Sequence, residues 1–316
     1  MKKSCAFVVF LLAAVSAARA FDRPGHSVTA AIACHDLELH HPEILPKLTA
    51  ILQASEDYHA KLNWAGSIAQ ATLPADGRRE GLMLMMLAAR WPDDIKSDGT
   101  LRDKRPHQTH PWHYIDLPYS LDGTPTKPAG KSNIETAFAN FQAEWATGTD
   151  GARKAQLISW FEHLIGDSHQ PLHSATAFGV NFQNGDGGGG QWRIHRAAGA
   201  STLHSFWDDV VIGADQNSAA VVAGEVDQVA ARLAHEHPRN SFPQLQANRT
   251  LKAWIERETF PLAVHQAYRD GQLPLPVTGF PTRLTDDYVR DARTIAESQM
   301  ALAGYRMADF LYELLK

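Results

Sequence analysis

Apolar residues in this chain recur three and four positions apart and almost nowhere alternate, which commits it to helices packed on helices. Val28, Ile32 and Asp36 line one face of a first helix that Pro24 is suited to open. Met83, Met86, Leu87 and Arg90 continue the pattern up to Trp91-Pro92, where the proline is expected to break it. Ser132-Asn133-Ile134-Glu135 reads as a capping box for a helix with Ile134, Phe138, Phe141 and Trp145 on one face. Leu157, Phe161, Leu164 and Ile165 mark another helix, and Ala303, Met307, Phe310 and Leu314 a last one. Only Trp192 to Ile194 reads as a short strand. Loops are expected at about 97–112, 117–131 and 179–200, with Asp186-Gly187-Gly188-Gly189-Gly190 as a flexible turn. The fold class is all-α, without an internal repeat or a linker that would divide it.

Residues 1–20 have the form of a secretory signal peptide. Lys2 and Lys3 precede an apolar stretch over 6–15, and Ala18-Arg19-Ala20 is a small-x-small cleavage site. That stretch falls short of the ~18–20 residues a membrane span needs. Removing 20 of the 316 residues leaves one domain of 296, 21–316, expected to be secreted or periplasmic. Cys34 is then the only cysteine, so no internal disulfide can form, and bound metal is one candidate for what replaces it. Cleavage removes three cations and leaves 27 Lys+Arg against 35 Asp+Glu, a formal charge of −8. A protein gripping nucleic acid by charge alone would be basic. This one would need multivalent metal to attract phosphate.

The strongest chemical signal is Trp160 to His173. His163 and Asp167 stand four apart, so a helix projects both from one face, and an imidazole and a carboxylate so placed can bind or bridge zinc. Pro171 should end the helix and let His173 swing towards the same point. His204 and Asp208 repeat the device in Leu203-His204-Ser205-Phe206-Trp207-Asp208. One such pair is weak; two with a trailing histidine are not. Arg90 to Lys96 places Asp93 after an expected helix end, with Lys96 three residues on. Pro111 to Asp116 gathers His113, Tyr114 and Asp116. Each of these two segments, taken alone, reads as a solvated helix end or a hydrogen-bonded loop. Phe21 to His26 puts a histidine close behind the expected new terminus, whose free amine and carbonyl can chelate metal.

As an ordered set, these motifs resemble the zinc-dependent single-strand nuclease family of fungi and plants, the nuclease S-one/P-one type. That family also has bacterial members, and the chain is read as one of them. The resemblance covers the Gly-His start, Trp91-x-Asp93-x-x-Lys96, Trp112-His113-Tyr114-Ile115-Asp116 and His163-x-x-x-Asp167 through Gln170-Pro171-Leu172-His173. It extends to Leu203 through Asp208 and to Ala303-Gly304-Tyr305-Arg306-Met307-Ala308. It implies the mainly helical fold shared with zinc-dependent phospholipase C, and three zinc ions. One zinc would take Asp93, His113, His163 and Asp167; a second would share Asp167 and add His26 with the amine and carbonyl of Phe21. The third would take His173, His204 and Asp208.

The implied activity is hydrolysis of single-stranded DNA and RNA to 5′-phosphorylated products, with 3′-nucleotidase activity. Lys96 would sit beside the phosphate, Asp116 would orient water or base, and Tyr114 would stack on a base. No obligate protein partner and no membrane span are expected. The chain departs from the family at Phe21, where Trp is usual, at Pro92, and at Gln191, where the glycine loop usually has Asn. His107, His110, His169 and His195 match no ligand position and read as loop or supporting histidines. Two rivals are a zinc-dependent phospholipase C, which typically has Glu where Asp208 stands, and a periplasmic zinc-binding protein.

Overall fold

The first helix, α1 (Arg23–His40), buries every side chain from Pro24 to Cys34, as a helix does when neighbours surround it. Those neighbours are α4 (Arg79–Ser97) and the last helix, α9 (Asp286–Leu315), with α8 (Ala219–Glu236) alongside. Gly304 lets the backbones of α9 and α1 approach. A Cβ at Gly304 would stand 2.6 Å from Ile32 and 3.0 Å from the Thr29 carbonyl. Helices α2 (Ile44–Gln53) and α6 (Gly151–Asp167) also pack on α4; α3 (Trp64–Gln70) lies against α4 and α8, and α5 (Ile134–Thr147) against α6. Trp91, Trp112, Phe141 and Trp160 meet edge to face among them, with centroids 5.3–6.4 Å apart. The computed structural model describes residues 23–60, 62–73, 78–97, 109–195, 201–212, 219–277 and 280–316, the side chains of 96–97 and 219–222 excepted.

The fold is mainly helical, as the periodicity requires, and the structure revises several details. Pro92 does not break the helix before Asp93; α4 runs through it to Ser97. Residues 82–93 are all buried, so tertiary packing holds a helix that proline alone would interrupt. The box on α5 is closed one residue later than expected: Asn133 caps Thr136 N–H, and the Thr136 hydroxyl accepts from Asn133 N–H. The expected loop at 117–131 begins with a strand, β1 (Leu117–Ser120), pairing in parallel with β2 (Ala175–Phe178), Leu117 opposite Ala175. Beyond it, β3 (Ile194–His195) pairs with β4 (Thr282–Arg283), sharing only Ile194 with the strand expected over Trp192 to Ile194. The expected loops at 97–112 and 179–200 fall partly outside the described residues.

The glycine run is not a loose turn. Gly187, Gly188 and Gly189 take φ of 63°, 59° and 79°, the left-handed region that favours glycine. At Gly188 a Cβ would lie 2.3 Å from the Leu172 carbonyl oxygen. Asp186 anchors the run. Its buried carboxylate accepts from Ala177 N–H at 2.8 Å and from the Tyr268 hydroxyl at 3.0 Å. Among the described residues, no helix is long and apolar enough to cross a membrane.

Candidate metal centre

Six segments deliver imidazoles and carboxylates to one buried place. The first turn of α1 brings His26, α4 brings Asp93, and a 3-10 turn at His110–His113 brings His113. Helix α6 brings His163 and Asp167 from its last two turns. A second 3-10 turn, Pro171–His173, carries His173 back, and α7 (Leu203–Asp209) adds His204 and Asp208. All eight are at most 3% exposed. The spacing argument for the two His-x-x-x-Asp pairs therefore holds: each lies on a helix, facing inward.

Asp167 is the hub. Its Oδ2 is 3.0 Å from His113 Nδ1 and 3.2 Å from His163 Nε2, and its Oδ1 is 3.3 Å from His26 Nε2. Asp93 completes this side, with Oδ1 3.8 Å from His163 and Oδ2 4.0 Å from His26. The His26 and His163 rings stack at 3.8 Å. Gly166 permits that approach, because a Cβ there would meet His26 Nδ1 at 2.8 Å. Across the cluster, His204 Nε2 lies 3.6 Å from Asp208 Oδ2, and His173 Nε2 lies 4.0 Å from Asp208 Oδ1.

Main-chain carbonyls set the tautomers. His163 Nδ1 donates to Ala89 O at 2.8 Å, His173 Nδ1 to His113 O at 2.7 Å, and His204 Nδ1 to Gly188 O at 2.7 Å. A neutral ring that donates through Nδ1 keeps its lone pair on Nε2, the atom each of these rings turns to the cluster. Ala89 lies one turn before Asp93 on α4, so the same helix supplies a carboxylate and the carbonyl that aims His163. Gln170 does similar work for a carboxylate: its Nε2 donates to Asp208 Oδ1 at 2.7 Å, while its Oε1 caps Leu172 N–H. The sequence marked Gln170 only as part of a motif, and gave Asp186 and Gly188 no function.

The residues fit bound divalent metal. Three sets hold their ligand atoms within 4.8 Å of one another: His26, His163 and Asp167; Asp93, His113 and His163; and His173, His204 and Asp208. Ligand atoms ~2 Å from one tetrahedral zinc stand about 3.3 Å apart, inside the range of separations above. Asp167 is fully buried, and its Oδ1 accepts no hydrogen bond among the described residues. Burial alone would raise Asp167, but His163, with hydrogen bonds from His113 and His163, holds it well below the usual carboxylate range. Burial and then His163 lower His26 to about 4 despite Asp167, leaving its ring neutral, the ligand form. Three carboxylates gathered out of water need counter-charge nearby.

Comparison with known proteins supplies the lineage: the S1/P1 Nuclease family pattern matches residues 21–316. The chain belongs to the S1/P1 nuclease family. Endonuclease 4 of Arabidopsis thaliana is 26% identical over 239 residues, covering 69% of this chain and 73% of that protein. Endonuclease 3 of the same plant is 24% identical over 234 residues, with coverage of 70% and 73%, and Endonuclease 1 is 28% identical over 145, with 38% and 44%. This S1/P1 nuclease is thus a hydrolase acting on nucleic acid, in a metal-dependent family, and its eight converging groups are where metal can be held.

The remaining expected positions of the S1/P1 nuclease are placed less fully. Phe21 lies outside the described residues. Lys96 is on α4, three residues and about one turn beyond Asp93, but its side chain is not described. Tyr114 and Asp116 follow His113 and are partly buried; neither bonds any of the eight among the described residues. The Tyr114 hydroxyl is 3.2 Å from His110 Nδ1. Burial raises Asp116 to about 6, and burial with the Asp116 charge raises Tyr114. Of the four histidines read as supporting, His169 is buried against Arg306, whose Nη1 lies 2.8 Å from its Nε2; His195 is exposed; His107 lies outside the described residues.

Proposed function

We propose that this S1/P1 nuclease is an exported enzyme that cleaves single-stranded DNA and RNA to 5′-phosphorylated products and also acts on 3′-nucleotides, using three zinc ions. The supporting observation is the sharing of ligands: the first two sets have His163 in common, and Asp167 lies between them and the third. Asp93, His113, His163 and Asp167 would hold one ion; Asp167, His26 and the amine and carbonyl of Phe21 a second; His173, His204 and Asp208 the third. Bound there, zinc supplies a water acidified towards neutral pH and positive charge for phosphate.

The chain's own residues do the rest. The carbonyls of Ala89, His113 and Gly188 keep three rings aimed and neutral, so the site needs little rearrangement when substrate arrives. Asp116 keeps its proton to about pH 6 through burial and above that becomes an acceptor, suited to orienting the attacking water or the base. Tyr114 offers a ring face to an unpaired base, and Lys96 brings a cation to the phosphate. A deep site of this kind favours strands whose bases are already unstacked, since extracting one from a duplex costs a few kcal/mol.

Protein beginning at Phe21 should contain zinc near three per chain and cut single-stranded DNA far faster than duplex. One extra residue before Phe21 should lower both zinc content and rate. Cleavage of phosphatidylcholine without cleavage of single-stranded DNA would instead assign the site to a phospholipase. Zinc uptake without any phosphoesterase activity would make it a zinc-binding protein.

A further inference from the structure

Arginines on this surface are mostly paired. Arg153, Arg232, Arg239, Arg269 and Arg290 each meet a carboxylate. Arg193 and Arg283 do not. Among the described residues neither side chain makes a hydrogen bond or ion pair, and the same is true of His195. The three are neighbours. In the parallel pair of β3 and β4, His195 lies opposite Arg283 and Ile194 opposite Thr282. Ile194 and Thr282 are each 4% exposed and point inward. Side chains alternate along a strand, so Arg193, His195 and Arg283 share the outward face.

Beside them is exposed apolar surface. Phe280 is 73% and Val277 58% exposed, and with Arg193 and Gln191 they line an open groove of about 710 Å³. Uncompensated guanidiniums beside a bare aromatic ring, on a chain of net charge −5, mark a place for an anionic partner with flat apolar faces. The segment that carries Arg193 is also tied by its backbone to the helix that carries part of the metal centre. Arg193 bridges to Thr202, the residue that caps α7 ahead of His204 and Asp208. Trp192 O accepts from Leu203 N–H at 2.8 Å, and Gln191 follows the glycine run whose Gly188 holds His204.

We propose that Arg193, His195, Arg283 and Phe280 form an accessory track for single-stranded nucleic acid running on from the metal centre, the guanidiniums on phosphates and Phe280 against a base. This rests on the single-strand reading of the site. It extends that reading, because the track contacts only nucleotides beyond the scissile bond and adds grip to long substrates alone.

The test uses metal-loaded enzyme starting at Phe21, and compares Arg193→Gln/Arg283→Gln and Phe280→Ala with wild type. The substrates are a dinucleotide and a single strand of about 20 nucleotides, longer than the ~4–16 nucleotides of common single-strand sites. On the long strand, KM should rise roughly tenfold in each variant with kcat unchanged. For the double variant, the slope of log kcat/KM against log salt should shrink by about 1.4, at ~0.7 for each lost phosphate contact. Arg193→Lys/Arg283→Lys should restore the slope. The dinucleotide, too short to reach the track, should be cut by all forms at the wild-type rate.

Variants with unchanged long-strand KM and salt slope, beside an active wild type, overturn the track alone. An equal loss on both substrates also overturns it, since the damage is then general. Self-association in sedimentation that Phe280→Ala abolishes, with KM unmoved, would make the groove a protein contact. A wild type that cuts neither substrate overturns the single-strand reading, and the track with it.

Discussion

Replacing Gly188 by alanine tests whether the glycine run positions His204. Two neighbouring glycines make the comparison internal. Gly187 and Gly188 have nearly equal φ, 63° and 59°, so alanine at either meets the same backbone penalty. That penalty is ~1–2 kcal/mol, partly offset by the ~0.4–1 kcal/mol gained from a stiffer unfolded chain. At Gly187 a new Cβ meets nothing within 4 Å; at Gly188 it stands 2.3 Å from Leu172 O and 3.3 Å from both Ala175 O and His204 Nδ1. Ordinary contact begins near 3.4 Å, so the Pro171–His173 turn or the glycine run must move by about 1 Å, at the ~1–3 kcal/mol typical of overpacking.

Gly187→Ala should therefore lose about 1 kcal/mol or less, and Gly188→Ala about 2–4 kcal/mol. Moving the carbonyl that holds His204, or the turn that carries His173, should also weaken zinc at that set roughly 10–100-fold. Urea unfolding measures the first effect, and zinc per chain at buffered free zinc the second. Equal stability losses for the two variants, or full zinc retention by Gly188→Ala, would refute the reasoning.

Further outcomes follow from other buried groups. Burial raises Asp186 to about 6, so its folded-state proton stabilises the protein fully below pH ~4, and this contribution is lost as pH climbs through about 6. Relative to wild type, Asp186→Asn should gain roughly 3 kcal/mol between pH ~4 and ~7, from two pH units at ~1.4 kcal/mol each; a pH-independent difference would exclude this. Arg306 is 3% exposed, pairs with Glu258 at 2.7 Å and lies 4.8 Å from the Trp254 ring centroid. Arg306→Ala should cost ~3–5 kcal/mol in urea unfolding by stranding Glu258, with partial recovery on adding Glu258→Gln. Chelation should lower Tm substantially, since ligand at a thousandfold over Kd contributes ~4 kcal/mol; an unmoved Tm would mean the fold does not depend on metal.

What could be read from the sequence was local. His163 with Asp167 and His204 with Asp208 are separated by one helical turn, so spacing alone puts each pair on a face, and both pairs face the cluster. Asp93 was found on its motif but assigned the wrong setting, because the effect of Pro92 depends on packing around α4 that no local pattern reveals. The β1–β2 pair joins residues more than fifty positions apart in four-residue strands, too short and, in buried β2, too uniform to alternate. The cap on α5 shifted to Asn133 because Thr136 could answer it as well as the expected glutamate. Gln170, Asp186 and Gly188 act by contacts to distant backbone, and glycine composition alone could not separate a strained carbonyl support from slack.

The close seating of α1 against Gly304 also has a consequence for biosynthesis. His26 rides on α1, whereas the surface that receives Ile32 and Thr29 lies on α9 and is synthesised much later. Until α9 has been made, the side of α1 that receives it stays uncovered, and that interval is when a nascent chain most needs a chaperone.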